Sequence, residues 1–281
     1  MAPRHDPRPI GVFDSGVGGL TVLDELRRRL PGEPTIYLGD NARAPYGPRP
    51  ADEVRAFTRE AVEWLLAQDV KLLVLACNTA TARALPDVRA QAMSVPVVGV
   101  VRPGAVAAAA ATRTGRVGVI ATAGTVESGA YPEAIVEADP NLAVTQLAAP
   151  ELVPMVEAGI TDGRRAETVL RAYLEPMLTA DAAMDTLLLG CTHYPLLREP
   201  IQRIVGDGVA VVDSAFTTAL AVEDLLDALG ARREPGAPVD HRVTTTGDVG
   251  AFVDVARRLF GDRLPPVEAV TIEAAAVVPL D

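Results

Sequence analysis

Cysteine, histidine and aromatic residues are all scarce in this chain of 281 residues, which has two cysteines, three histidines and 4% aromatics. With so few aromatic rings, the hydrophobic core must be built from alanine, valine and leucine. Residues 1–9 contain no apolar segment of the kind that a secretory signal needs, so we expect no export. Two cysteines in a protein that is not exported indicate reduced thiols in the cytoplasm. A disulfide between them, or simple burial in the core, stays open at this stage.

Long hydrophobic runs and an excess of positive charge are also missing. No stretch reaches the roughly 18 apolar residues of a membrane-spanning helix. Acidic residues outnumber basic ones by 37 to 26, and the net charge of −11 argues against nucleic acid or an anionic membrane as a partner. An acidic small molecule remains possible as a substrate, because backbone N–H groups at helix N-termini bind anions locally.

Short apolar runs alternate with segments of helical periodicity along most of the chain. Leucines at 20, 23, 26 and 30 recur at helical spacing, and a second helix is predicted around residues 52–67. Eight apolar runs predict strands, at residues 10–13, 35–38, 72–76, 95–100, 117–120, 144–147, 186–189 and 209–212. Strands that alternate with helices predict an α/β protein with parallel sheets.

The chain is long enough for two ordinary domains. We predict a first α/β domain formed by residues 1–99 together with 210–281, and a second formed by residues 100–209. Residues 102–104, with the sequence Arg-Pro-Gly, are the predicted hinge on the way out of the first domain. The tail beyond Leu264 is expected to hold a late strand or to be poorly ordered.

Each of the two cysteines ends a run that is predicted to be a buried strand. Residues 72–76 lead into Cys77–Thr79, and residues 186–190 lead into Cys191–His193. Open α/β sheets bind ligands at the carboxyl ends of their strands. This weak internal repeat therefore predicts two pseudo-symmetric open parallel-sheet domains with the active site in the cleft between them. Few reactions need matched acid and base groups on opposite sides of a substrate, and stereoinversion at a carbon is one of them.

A glycine-rich segment, Asp14–Gly19, follows the first strand. It could form a dinucleotide-binding loop with Asp40 as the acid on the ribose, but Thr21 stands where the last glycine of that fingerprint belongs. Alternatively, the glycines let the backbone approach a small ligand while Asp14 and Ser15 point into the site, or the segment is only a helix cap. The cysteine and histidine spacing is a poor zinc signature, so we predict no metal.

Four blocks of the sequence resemble glutamate racemase. They are Gly11–Val22, then Tyr37–Asp40 with Pro45–Gly47, then Ala76–Ala80, then Leu189–Leu197, and they occur in the family's order. The resemblance runs from about residue 10 to about residue 260. It implies an enzyme that converts L-glutamate to D-glutamate for peptidoglycan without a cofactor. In that family two cysteines act as acid and base on opposite faces of the substrate α-carbon.

Carried over to this sequence, the resemblance assigns the acid and base to Cys77 and Cys191, assisted by Asp14, His193 and Glu157. The substrate-binding positions that it implies are Asp14, Ser15, Tyr46, Gly47, Asn78, Thr79, Thr122, Thr192 and His193. Because no cofactor would take up the carbanion charge, donors on the substrate carboxylate must stabilise it. Asn78, Thr79 and Thr192 fit that role.

Three other functions stay open. An aspartate racemase or related two-cysteine isomerase would use the same chemistry, although such relatives typically carry glutamate where this chain has His193. A binding protein that kept the racemase scaffold and a dithiol redox protein are the other two. We expect a small-molecule substrate, no cofactor, no nucleic acid or membrane partner, and a homodimer in the cytoplasm.

Overall fold

The computed structural model describes residues 5–236, 238–261 and 264–272. The strands are β1 (Ile10–Asp14), β2 (Thr35–Gly39), β3 (Leu72–Leu75), β4 (Val97–Gly99), β5 (Arg116–Ala121), β6 (Ala143–Ala148), β7 (Thr186–Gly190), β8 (Ala210–Asp213), β9 (His241–Thr245) and β10 (Val267–Ala269). The helices are α1 (Leu20–Arg29), α2 (Ala51–Leu66), α3 (Asn78–Ala92), α4 (Val101–Ala111), α5 (Ala123–Ser128), α6 (Ala130–Ala138), α7 (Leu152–Glu157), α8 (Gly163–Ala180), α9 (Arg198–Val205), α10 (Ser214–Leu229) and α11 (Val249–Phe260). Over the described ranges, no helix combines the length and the apolar character needed to cross a membrane.

The strands form two separate sheets in which every pair of neighbours is parallel. The first sheet has the order β10-β9-β2-β1-β3-β4, and the second has the order β6-β5-β7-β8. Helices connect the strands and cover both faces of each sheet, as parallel sheets require. The predicted α/β class with two parallel sheets is confirmed.

Four apolar clusters hold these layers together. On the first sheet, α1, α10 and α11 cover one face, and α2 and α3 cover the other. On the second sheet, α7, α8 and α9 cover one face, and α4 and α6 cover the other. Alanine, valine and leucine supply most of this core, and each fully buried valine or leucine side chain contributes about 1.5–3 kcal/mol relative to exposure.

Helix α10 carries the chain from the second sheet back to the first. Asp213 ends β8 and caps the helix, because its side chain accepts hydrogen bonds from the backbone N–H groups of Ala215 (3.0 Å) and Phe216 (3.1 Å). The helix ends at Gly230, whose φ of 61° is the left-handed conformation that glycine adopts without strain. Helix α10 packs against α1 and α4, so it lies between the two sheets.

The second sheet extends to Asp213, four residues beyond the predicted domain boundary at 209. The sequence has no change of composition at 209 that could mark this end. The division into 1–99 with 210–281 and 100–209 stays a proposal. The residues of the predicted hinge, 102–104, form the first turn of α4, and their role as a hinge stays a proposal. Proline is tolerated in a first turn, where its missing N–H has no partner to lose.

Strands β9 and β10 were not among the predicted runs. Strand β9 reads His-Arg-Val-Thr-Thr and offers no apolar run, yet it pairs with β2 over five residues. Strand β10 follows Leu264, where a late strand was one of two expectations, and it forms the edge of the first sheet. The apolar end of the tail, residues 274–280, lies outside the described residues.

Candidate active site

The two cysteines occupy equivalent places in the two sheets. In the first sheet β1 lies beside β3, and Cys77 follows β3 by two residues. In the second sheet β5 lies beside β7, and Cys191 follows β7 directly. Both thiols are free and 5% exposed. The carboxyl ends of both sheets therefore deliver one thiol each, as the matched sequence pattern predicted.

A cavity of about 560 Å³ lies between these strand ends. Its size is within the range of small-molecule sites. Of the residues that the sequence singled out, all but one line it: Ser15, Tyr46, Gly47, Cys77, Asn78, Thr79, Thr122, Glu157, Cys191, Thr192 and His193. Its walls also include Asn41, Pro150, Val153 and Pro154, which sequence reasoning did not assign to the site. These four carry no distinctive chemistry in the sequence, so only the fold reveals them.

Asp14 is the predicted residue that does not line the cavity. It ends β1, is 1% exposed, and accepts a hydrogen bond from the Gly16 N–H at 2.9 Å. Its second carboxylate oxygen has no hydrogen-bond partner among the described residues. Burial raises the pKa of Asp14, while the positive charge of His193 acts in the opposite direction. Asp14 is therefore close enough to the cavity to interact electrostatically with His193 and Cys77.

Cys77 lies in an environment that favours its protonated form. Its sulfur accepts a hydrogen bond from the Ala80 N–H at the start of α3 (3.4 Å), and its thiol donates to Ser15 Oγ (3.5 Å). Burial, and then the nearby carboxylate of Asp14, raise the pKa of Cys77 to about 12. At neutral pH this sulfur keeps its proton.

Cys191 sits in the opposite electrostatic setting. Its sulfur lies 3.9 Å from Nδ1 of His193, and Nε2 of the same ring lies 3.0 Å from the Glu157 carboxylate. Burial lowers the pKa of His193, but the hydrogen bonds to Cys191 and Glu157 outweigh it and raise that pKa to about 10. A protonated imidazole beside a sulfur stabilises negative charge on it. The two sulfurs therefore have different charged neighbours: the carboxylate of Asp14 lies near Cys77, and the imidazole of His193 lies beside Cys191.

A cluster of threonine hydroxyls joins the two sheets at the cavity wall. Thr79 Oγ1 lies 2.9 Å from Thr122 Oγ1 and 3.3 Å from Thr125 Oγ1, and the latter two are 3.0 Å apart. Thr79 is in the first turn of α3, and Thr122 caps α5. Hydroxyl donors beside helix N-termini suit a carboxylate.

The dinucleotide interpretation of the glycine-rich loop is wrong. Asp40, the proposed ribose acid, is fully buried and accepts hydrogen bonds from Tyr46 OH, Arg43 Nε (2.7 Å) and Thr246 Oγ1 (2.7 Å). A side chain at Gly18 would come within 2.3 Å of Thr192 Oγ1, so the loop packs against the second sheet and leaves no space for a pyrophosphate. Asp40 instead anchors the loop that brings Tyr46 and Gly47 to the cavity.

Metal binding and dithiol redox chemistry are two other interpretations of a site with two cysteines. In the described part of the chain, no group of three or more His, Cys, Asp and Glu side chains is placed to hold a metal ion. The two thiols are not joined, and each has its own hydrogen-bond partners.

Two parallel α/β sheets with one thiol from each at a shared cavity define a class of isomerase, and sequence comparison agrees. The profile of the Asp/Glu/hydantoin racemases matches residues 10–223, and the chain belongs to this family. Its relatives include glutamate racemases. That of Oceanobacillus iheyensis is 48% identical over 253 residues, which are 90% of this chain and 92% of that protein.

Solved structures agree with the sequence comparison. The crystal structure of a glutamate racemase isoform from Bacillus anthracis superposes with a TM-score of 0.89 at 42% identity, covering 95% of this chain and 99% of the other. A glutamate racemase from Francisella tularensis, crystallised in complex with D-glutamate, superposes with a TM-score of 0.88 at 33% identity, covering 96% and 100%. The chain is therefore similar over nearly its whole length to glutamate racemases.

Proposed function

We propose that this enzyme racemises glutamate without a cofactor, with Cys77 and Cys191 as the two acid/base groups. The observation that carries the proposal is the delivery of one thiol from each sheet into a single cavity. The names of the similar proteins, and the D-glutamate bound to one of them, support glutamate as the substrate. We further propose that the product supplies peptidoglycan synthesis in the cytoplasm, and that the enzyme is a homodimer.

In the proposed mechanism one thiolate removes the α-proton while the opposite thiol protonates the other face. The reverse direction exchanges the roles, so the pKa of each sulfur must change with the substrate bound. The substrate's ammonium group would offset the carboxylate of Asp14, which raises the pKa of Cys77. His193, which is hydrogen-bonded to Glu157, would assist Cys191 on the opposite face of the substrate by stabilising negative charge on its sulfur.

The remaining predicted residues would bind the two carboxylates of glutamate. Thr79, Thr122 and Thr192 offer hydroxyl groups near the strand ends and are placed to stabilise the charge that develops on the α-carboxylate. Backbone N–H groups of the loop that carries Tyr46 and Gly47 would donate hydrogen bonds to the distal carboxylate. The Tyr46 hydroxyl is not free for this, because it donates to Asp40.

A pyridoxal cofactor would need a lysine amine to hold it as a Schiff base. Lys71 is the only lysine in the sequence. Its Nζ is buried against the Glu33 carboxylate (2.5 Å) and the carbonyl oxygens of Asp6 and Ala231 (both 2.8 Å). It precedes β3, at the end of the strand opposite to Cys77. This position supports chemistry that depends on thiols alone.

The proposed function is tested by polarimetry of the purified protein with L-glutamate or L-aspartate, after dialysis against a chelator and with no added cofactor. We expect L-glutamate to lose its optical rotation and L-aspartate to keep it. Equal turnover of aspartate would reject glutamate as the specific substrate. Loss of activity on dialysis would reject the metal-free mechanism.

A further inference from the structure

In the side chain of Asn78, the amide nitrogen is hydrogen-bonded and the amide oxygen has no partner among the described residues. Asn78 is 2% exposed and lies at the cavity wall. Its amide Nδ2 donates to Tyr131 OH at 2.7 Å and to Ser214 Oγ at 3.4 Å. Its Oδ1 is buried and has no hydrogen-bond partner within the described part of the chain. A buried acceptor without a partner destabilises the site, and a ligand that donates to it would remove that cost.

Tyr131 and Ser214 reach Asn78 from behind the cavity, and neither lines it. Tyr131 lies on α6, is fully buried, and packs in the core of the second sheet. A side chain at Gly190 would come within 2.7 Å of the Tyr131 ring, so the ring is fixed against the strand that leads to Cys191. Ser214 is the first residue of α10 and is 1% exposed. Burial raises the pKa of Tyr131, so its hydroxyl stays neutral.

The chemistry of the substrate identifies the partner of the free oxygen. At neutral pH both carboxylates of an acidic amino acid only accept hydrogen bonds, and its α-ammonium group alone donates them. Because Asn78 lines the cavity, its unpartnered oxygen would attract an ammonium group bound there and repel a carboxylate. This differs from the sequence-based expectation that Asn78 donates to the substrate carboxylate, because the amide N–H groups already have partners.

We propose that Tyr131 is a positioning residue, which together with Ser214 turns the carbonyl oxygen of Asn78 toward the α-ammonium group of the substrate. The inference rests on the proposed function, since it assumes an amino-acid substrate. In this arrangement a residue of α6, which packs on the second sheet, positions a substrate-binding residue that follows β3 of the first sheet. Tyr131 touches neither the substrate nor a reacting atom.

The test compares glutamate with glutarate, which has both carboxylates but no ammonium group. In Tyr131→Phe the ring stays and only the hydroxyl is lost, so we expect the protein to fold. Its KM for glutamate should rise about threefold to tenfold, the effect of one lost hydrogen bond. The inhibition constant of glutarate should change less than about twofold, because glutarate makes no contact with the Asn78 oxygen. Ser214→Ala should give a smaller change of the same kind.

Tyr173→Phe is the matched control, because its hydroxyl donates to Glu151 at the surface, away from the cavity. It should leave both constants unchanged. In an Asn78→Ala background, Tyr131→Phe should have no further effect, because Tyr131 acts only through Asn78. If wild-type enzyme racemises glutamate but Tyr131→Phe weakens glutarate as much as glutamate, or stays additive with Asn78→Ala, the positioning role is wrong. If the wild type does not racemise glutamate, the proposed function itself is wrong.

Discussion

At the scale of single residues, the two sulfurs differ because their neighbours differ. Cys77 has the carboxylate of Asp14 behind it and keeps its proton, whereas Cys191 has an imidazole held by Glu157. In the proposed mechanism each sulfur removes the α-proton from one enantiomer, and in the reverse direction it protonates the α-carbon to give that same enantiomer.

Replacing either cysteine with serine should stop racemisation but spare a simpler reaction. A serine hydroxyl ionises far less readily than a thiol, so Cys77→Ser and Cys191→Ser should each lose racemisation by orders of magnitude in both directions. Elimination from a β-substituted glutamate analogue needs only one base. Each variant should therefore still catalyse elimination from one enantiomer of the analogue, and the two variants should act on opposite enantiomers. Release of the leaving group measures this elimination.

By family resemblance we expect Cys77 to act on D-glutamate and Cys191 on L-glutamate. If both variants lost elimination of the same enantiomer equally, the two-base mechanism would be rejected. One cysteine would then be structural, and His193 would be the first candidate for the second acid/base group.

The raised pKa of Cys77 gives a prediction about its reactivity. In Cys191→Ser, Cys77 is the only thiol. Because its pKa is raised to about 12, its thiolate fraction, and with it the rate of alkylation by iodoacetamide, should rise with pH throughout the range from pH 7 to pH 10. Asp14→Asn, which removes the carboxylate that opposes charge on the sulfur, should increase the rate at each pH. The alkylation rate of the same variant unfolded in urea provides the reference for an unperturbed thiol. A rate that reaches a plateau below pH 9 in the folded variant would contradict this electrostatic account.

At the scale of elements, the active site depends on how closely the loop before α1 approaches the loop after β7. Thr21 Oγ1 donates to the carbonyl oxygen of Thr192 at 3.0 Å, and a Cβ atom at Gly18 would lie 2.3 Å from Thr192 Oγ1 and 2.5 Å from the His193 ring. These distances are too short for any side chain. Gly18 therefore sets the spacing between the two sheets at the cavity.

Gly18→Ala should separate the two loops and displace His193 while both sheets still fold. We expect kcat/KM to fall about a hundredfold, because a displacement of about 1 Å in an active site can cost that much. Gly32→Ala is the matched control, since nothing lies within 4 Å of the added methyl group. Circular dichroism should show native helix content for both variants. Full activity in Gly18→Ala would mean that the approach of these loops does not position the site.

The sequence predicted the elements that consist of apolar runs, and it missed those that do not. All eight predicted strands overlap strands of the structure, because each contains a short run of apolar residues. Strand β9 was missed because its burial falls on threonine and valine in a polar stretch. The residues of the predicted hinge lie in a helix, because Pro103 suits a first helical turn as well as a loop.

At the scale of the whole molecule, the sequence indicated which residues would meet, but only the fold gives their partners. Cys77 and Cys191 are 114 positions apart, and matched strand ends were enough to predict one shared cavity. Tyr131 and Ser214 could not be found in this way, and the sequence suggested Asp40 only as a possible ribose-binding acid. They act from the core through hydrogen bonds to site residues, and a buried tyrosine or aspartate has no sequence signal that separates this role from plain packing.

The isotopic content of both glutamate enantiomers during turnover in deuterated water tests the central claim most directly. Two thiols on opposite faces remove a proton from one side and deliver a solvent-derived deuteron to the other. At early conversion of either enantiomer, mass spectrometry after chiral separation should find the product fully α-deuterated and the remaining substrate almost entirely protiated. Product that retains the α-proton, or deuterium that appears equally in the remaining substrate, would show that a single base serves both faces and would contradict the account.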